Sequence, residues 1–350
     1  VPQSPDPNLP DSVILGAFSG LKNTVAPERL KTDELERALN VDVDDAGQLR
    51  RRRGYVLSLA GDWHSVKGPL AGKVYGVKDG TLGIIRPGPV FYTLGVDVGA
   101  APVCYTEVND EVYFSSRDAS GVISLAETVG PWGATAGQGT WLSPVYTPTE
   151  TLGEVGGTLL GDPPKATQIE AYKGRIYLAQ GKTLWATELW RYHFVDRTGG
   201  FMQFEHDITL VMAVGDGLYV GTTGGLYFLQ GVLSSFKLQQ LTTGAVLPGS
   251  GVAMPAELVH PQARNSPVPT DTAIVCLSDD GVLAGFDGGT VFNLTRDRLL
   301  LPTGTSAAGL FRQDLGVTSY VAAMDSAGGP SANTRIGDYV SAEVIRAVDR

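Results

Sequence analysis

Val211-Met-Ala-Val-Gly-Asp-Gly-Leu-Tyr-Val220 decides the fold, because an apolar run enters a Gly-Asp-Gly turn and leaves as a second apolar run. Related units run from Cys104 to Phe114, from Gln168 to Leu178 and from Ile274 to Ala284, with a shorter one from Val74 to Ile85. In most copies a further turn and strand follow at once, as in Gly181-Lys-Thr-Leu-Trp185, Gly224-Gly-Leu-Tyr-Phe228 and Gly288-Gly-Thr-Val-Phe292. Such units are antiparallel meanders. One meander cannot hide its apolar faces alone, so several must pack around a common axis, and small sheets packed radially make a β-propeller.

The turns fall near residues 80, 110, 174, 216 and 280, at spacings of about 30, 64, 42 and 64. WD40 repeats run at about 40–45 residues. The long intervals therefore read as one unit plus a loop, no WD or kelch signature marks them, and the expected fold is an all-β propeller of five to six blades. The bulk composition agrees. Of 350 residues, 43% are hydrophobic and 18% charged, while 45 Gly and 21 Pro supply the turns that many short strands need.

Outward from the repeats, residues 1–12 read as an extended, Pro-rich arm. Residues 13–59 read as a strand over Val13–Phe18, a short helix over Thr32–Leu39 capped by Thr32, and a hairpin. Its strands are Val41–Val43 and Gln48–Val56, joined at Asp44-Asp45-Ala46-Gly47. The propeller body occupies residues 60–325, with loose stretches near 126–165 and 242–270; the first reads as an excursion containing part of a blade. A weaker strand pair lies around Leu310–Ala323, and the tail 326–350 is expected to return to an N-terminal strand or to meet a neighbour.

The chemistry-bearing motifs are few. His64, His193, His206 and His260 are scattered, and Glu205-His206-Asp207 alternates across a strand, so that trio cannot converge on one ion. No G-x-S-x-G, Walker A or helix-opening G-x-G-x-x-G is present. Asp42, Asp44 and Gly47 match three positions of a calcium loop, yet Ala46 and Arg53 stand where ligands belong. No metal, cofactor or catalytic residue is expected. Cys104 and Cys276 read as buried thiols on equivalent inner strands, with a disulfide left open.

A net charge of −10 argues against a surface that grips nucleic acid. The first residues lack the basic head and apolar core of a secretory signal, and no apolar stretch approaches the roughly 20 residues of a membrane span. A soluble protein folded in a cytoplasm is expected. The dense charge run is Arg50-Arg51-Arg52-Arg53, on whose strand alternate arginines share a face. With Asp42 and Asp44 on the facing strand and turn, these four form the candidate interface, suited to carboxylates of a neighbouring chain. A solvated hairpin edge is the equal alternative, and a DNA-phosphate contact ranks third.

The run Phe18-Ser-Gly-Leu-Lys-Asn-Thr-Val-Ala-Pro-Glu-Arg-Leu30, followed by Glu36-Arg-Ala-Leu-Asn-Val-Asp-Val-Asp-Asp-Ala-Gly-Gln-Leu-Arg-Arg-Arg-Arg-Gly-Tyr55, resembles the opening of structural proteins from tailed bacteriophages. The stretches Tyr172–Glu188 and Asp280–Thr295 are similar to phage tail-tube, nozzle and hub-type propellers, although Trp185-Ala-Thr-Glu188 departs from the aromatic-Ser-Glu of that group. The resemblance covers about two thirds of the chain. It implies a virion tail component, assembled in the host cytoplasm into a ring, most simply a homohexamer that contacts other tail or head-to-tail proteins. DNA would pass through without specific binding, and no catalytic residue is implied. The alternative is a propeller that binds or processes glycans, for which Glu107, Asp110, Glu170 and Asp216 are the acids near inner-strand turns.

Overall fold

In the computed structural model, residues 17–36, 41–43, 48–51, 57–133, 153–155, 158–259, 271–296, 298–299, 301, 304–314, 317–326 and 341–343 are described. Three of the expected turns have the geometry that best suits a two-residue hairpin. Asp79-Gly80, Asn109-Asp110 and Lys173-Gly174 all have positive φ at both positions, the type I′ form whose twist matches that of the flanking strands.

Before the body come β1 (Gly20–Leu21) and β2 (Glu34–Leu35), a parallel pair, then β3 (Val41–Val43) and β4 (Leu49–Arg51), an antiparallel hairpin. The helix expected over Thr32–Leu39 is replaced, over its described part, by a turn and β2. Ser19 N donates to Asp33 O and Lys22 N to Leu35 O, each at 2.7 Å. The Glu34 carboxylate accepts from Lys31 N and from Lys22 Nζ, both at 3.1 Å. A short segment with strand partners at hand has little reason to form an isolated helix. Phe18 lies outside any strand; the rest of the strand expected at Val13–Phe18 falls mostly beyond the described residues, as does the arm.

Five blades follow. The first is β5 (Trp63–Leu70), β6 (Lys73–Lys78), β7 (Thr81–Arg86) and β8 (Val90–Asp97). The second is β9 (Cys104–Val108), β10 (Glu111–Ser115), β11 (Ser120–Ile123) and β12 (Val129–Gly130). Next, β13 (Gly153–Val155) and β14 (Thr158–Gly161) extend the third blade, β15 (Gln168–Tyr172), β16 (Arg175–Gln180) and β17 (Thr183–Glu188), through β18 (Arg191–Asp196); β19 (Phe201–Gln203) also pairs with β17. The first loose stretch thus donates strands to two blades. The fourth blade is β20 (Ile208–Ala213), β21 (Gly217–Thr222), β22 (Gly225–Gln230) and β23 (Lys237–Thr242).

The fifth blade begins inside the Pro-rich stretch expected to be loop. There β24 (Val252–Pro255) leads into the single-turn helix α1 (Ala256–Val259), and then come β25 (Thr272–Ser278), β26 (Gly281–Gly285) and β27 (Val291–Asn293). Last is a smaller sheet, β28 (Gly304–Asp314), β29 (Val317–Ser326) and β30 (Ser341–Glu343). In the described part of the tail, β30 pairs with β29, at Val321↔Glu343 for example.

Side-chain alternation turns these sheets into a stack. In β10, Val112 and Phe114 point back into a core with Tyr75, Val77 and Tyr105, while Tyr113 points forward to Ile176 and Leu178. Likewise Tyr177 joins Val211 and Leu218 in the core between the third and fourth blades, and Tyr219 joins Ile274 and Cys276 between the fourth and fifth. Val275 and Leu277 meet Tyr320, Ala322 and Met324 of the last sheet. A strand buried on both faces has no polar side to show, which is why these runs are continuously apolar. Each such Leu, Val or Phe contributes roughly 1.5–3 kcal/mol by leaving water.

The first strands line up along the inside, with β5 beside β9, β9 beside β15 and β15 beside β20. Cys104 sits on such a strand, but Cys276 lies on the second strand of its blade, so the two are not equivalent. Both are free thiols, pushed up to about 12 by burial.

Candidate functional site

A hairpin forms where expected, over Val41–Val43 and Leu49–Arg51; residues 52–56 of the expected second strand lie outside the described residues. Its register sets Asp42 opposite Arg50, Val41 opposite Arg51 and Val43 opposite Leu49. Arg51 and Leu49 are exposed. Arg52, Arg53 and Asp44 lie outside the described residues. Of the six candidate interface residues, the structure thus brings Asp42 and Arg50 together.

The inner-strand acids are drawn into contacts between blades. Glu107 Oε2 accepts from Ala71 N of the first blade at 2.6 Å, and Glu170 Oε1 accepts from Ala213 N of the fourth at 3.3 Å. Burial pushes the Glu170 carboxyl above its ordinary value, opposed by the charge of Lys67 and by the Ala213 bond. Lys67 itself donates to Tyr105 O at 3.1 Å. Asp110 occupies a turn position with φ of 64°, a conformation that Asp tolerates better than most residues.

Asp216 forms a reciprocal clasp. Its carboxylate accepts from Gly288 N at 3.0 Å and from Gln230 Nε2 at 3.1 Å, while its own N–H donates to Asp287 Oδ1 at 3.3 Å. Asp287 is buried, and that burial raises its carboxyl above the ordinary range, with the neighbouring Asp216 charge adding to the effect.

Sequence reasoning missed Asp287, and it missed a series of hydroxyls doing the same work. Ser65 Oγ accepts from Val103 N, Thr106 Oγ1 from Ala171 N and Ser115 Oγ from Ala166 N, each joining one blade to the next. Ser250 Oγ accepts from Leu277 N, and Tyr320 OH donates to Ser250 O at 2.7 Å. Tyr219 OH donates to Phe286 O and Thr290 O across the junction of the fourth and fifth blades. The signal was there in one form, since a lone Ser or Thr inside an apolar run must find a partner when buried.

Of the four histidines, His260 lies outside the described residues. His64 lies within hydrogen-bond distance of Ser65 Oγ and Gly99 O, and burial lowers His193 to about 4. Among the described residues no three His, Cys, Asp or Glu side chains gather to hold a metal ion. None of the described helices is long and apolar enough to cross a membrane.

No family model matches the chain, and no curated protein sequence matches it significantly. Solved structures are similar to parts of it at low identity. BBS1N in complex with ARL6DN is 11% identical over 81% of this chain and 84% of that one, with a TM-score of 0.48. The WD40 β-propeller domain of Doa1 is 13% identical over 75% of this chain and 78% of that one, at 0.42. The extracellular domain of BT4673 from B. thetaiotaomicron is 10% identical over 81% of this chain, at 0.47, and this chain spans 32% of its length. At this distance the likeness concerns the propeller architecture alone.

Proposed function

We propose that the protein is a non-enzymatic structural component of a bacteriophage tail, a nozzle- or hub-like ring of copies around the DNA channel. The observation that carries the structural side of this reading is the employment of the inner-strand acids. Glu107, Glu170 and Asp216 each accept from a backbone N–H of an adjoining blade. A glycoside hydrolase needs two carboxyl groups presented to a substrate across roughly 5–9.5 Å; these acids instead hold blades together. The phage assignment itself rests on the resemblance of Phe18–Tyr55 and of the repeat strands, and an acidic chain suits a wall past which DNA slides.

The test is composition and imaging of purified particles. The chain should co-purify with tails in a fixed ratio to other tail proteins and should resolve as a ring of about six copies. A strict monomer absent from particles would overturn the reading. Turnover or tight binding in a saccharide screen would favour the glycan alternative instead.

A further inference from the structure

Residues 17–36 are held differently from the blades beside them. Gly20 is the one buried residue of the stretch, and none of its side chains belongs to the five cores. Phe18, Leu21, Leu30 and Leu35 are half-buried. In β26 of the fifth blade, by contrast, every residue is buried.

One set of bonds ties the stretch to itself. Ser19 N donates to Asp33 O and Lys22 N to Leu35 O, which fixes the pairing of β1 with β2. Ser19 Oγ donates to Asp33 O at 3.2 Å, and the Glu34 carboxylate bridges Lys22 Nζ and Lys31 N. A two-stranded pair this short is not stable alone in water, so it depends on the body.

A second set of bonds, centred on one residue, joins it to that body. The Arg298 guanidinium donates to Ser19 O, just before β1, and Arg298 O accepts from Asn23 N, two residues past it, at 2.9 Å. Arg298 therefore brackets β1 from both ends. It is seated on the fifth blade in turn: its N–H donates to Thr295 O at 2.9 Å, Thr295 is 3% exposed, and Thr295 Oγ1 accepts from Val282 N of β26 at 2.9 Å.

We propose that residues 17–36 are a strap, latched to the fifth blade by Arg298, that opens as one unit while the blades stay folded. The separation of the two sets of bonds carries this. Those inside the strap set its register, the Arg298 pair sets whether it is docked, and no buried side chain makes its opening depend on a core. Segments with few buried apolar contacts open at a lower free energy than the cores around them. A guanidinium bonded to a carbonyl is a charge-assisted contact of the stronger kind, so a single residue suffices as the latch. Opening uncovers the Arg298 guanidinium.

The experiment is amide hydrogen exchange of the full-length protein, read at single residues. The bonded amides of Ser19, Lys22, Asn23 and Glu34 should exchange together, at least ~100-fold faster than those of β25 and β26. Arg298→Ala should speed the strap amides by about a further tenfold and leave β25 and β26 unchanged. Arg298→Lys, which keeps the charge without the planar fork, should fall between. Glu34→Gln, on the strap itself, should speed the same four amides by a smaller factor.

If circular dichroism shows that Arg298→Ala fails to fold, the wild-type pattern and Glu34→Gln still decide. Strap amides that exchange at the rate of β25 and β26 in the wild type, or a variant that speeds strap and blade by one factor, would show a single cooperative unit and overturn the proposal. Strap exchange unchanged in a folded Arg298→Ala would overturn it as well.

Discussion

In β21 of the fourth blade every residue from Gly217 to Thr222 is buried, whereas in β6, the matching second strand of the first blade, Tyr75, Gly76 and Val77 are buried and Lys73, Val74 and Lys78 are half-buried. Both strands belong to four-stranded sheets of the same plan. Among the described residues the fourth blade packs on both faces and the first on one. A blade in the middle of the stack owes its stability to both neighbours, and a blade at the end to one.

The largest effect should therefore come from the middle. Phe228 is 2% exposed, and its ring lies 4.9 Å from that of Tyr219. Phe228→Ala should cost ~3–5 kcal/mol in urea unfolding, while Phe91→Ala, on the half-buried outer strand of the first blade, should cost about 1–2 kcal/mol. Equal losses would erase the distinction between the two blades.

A pair of tyrosines sharpens the comparison at the level of single atoms. Tyr219→Phe removes the donor to Phe286 O and Thr290 O and should destabilise by ~1–3 kcal/mol. The hydroxyl of Tyr105, between the first and second blades, is buried with no hydrogen-bond partner. Its removal in Tyr105→Phe should be neutral or slightly stabilising, and a loss as large as that of Tyr219→Phe would contradict the difference between the junctions.

Two carboxyl groups should shift stability in opposite directions with pH. Asp287, at the junction of the fourth and fifth blades, has a folded-state pKa raised by burial, so the folded chain prefers it protonated. Its contribution weakens as pH rises from the unfolded value through the raised folded one. Glu127 lies in the salt bridges to Lys73 at 3.0 Å and Arg86 at 2.5 Å. Its pKa is lowered, chiefly by the Lys73 hydrogen bond. Its stabilisation is present above the unfolded value and is lost as pH falls through the lowered folded one. Thermal midpoints across pH for Asp287→Asn and Glu127→Gln should each flatten its own limb, acid-side for Glu127 only. The smallest effect is Arg86→Ala, worth no more than ~1 kcal/mol at this exposed pair.

The hairpins were legible because turn chemistry and alternation are local, as at Asn109-Asp110 and Lys173-Gly174. The phase of the repeat was harder to read. Val74–Ile85 and Ile274–Ala284 are second and third strands of their blades, whereas Cys104–Phe114 and Gln168–Leu178 are first and second, which accounts for the short first spacing and the long last one. The missing first strand of the fifth blade lay in Val252–Pro255, where Pro255 ends a short strand inside a stretch that reads as loop. Thr32–Leu39 carried helix signals that distant partners overrode, since Ser19 N and Lys22 N claim the carbonyls of Asp33 and Leu35. At the candidate site the hairpin was readable but not its register, since a turn over residues 44–47 would set Asp42 opposite Leu49 and not Arg50, and the roles of Glu107, Glu170 and Asp216 depend on which backbone N–H the adjoining blade presents, which no local pattern encodes.

Hydrogen exchange of backbone amides in dilute solution, read blade by blade, tests the central claim that, among the described residues, the middle sheets pack on both faces and the first and last on one. Amides of β21 and β22 should exchange slowest, and those of β5, β8 and β28 at least roughly 100-fold faster. Uniform protection from the first blade to the last sheet in dilute protein would contradict it.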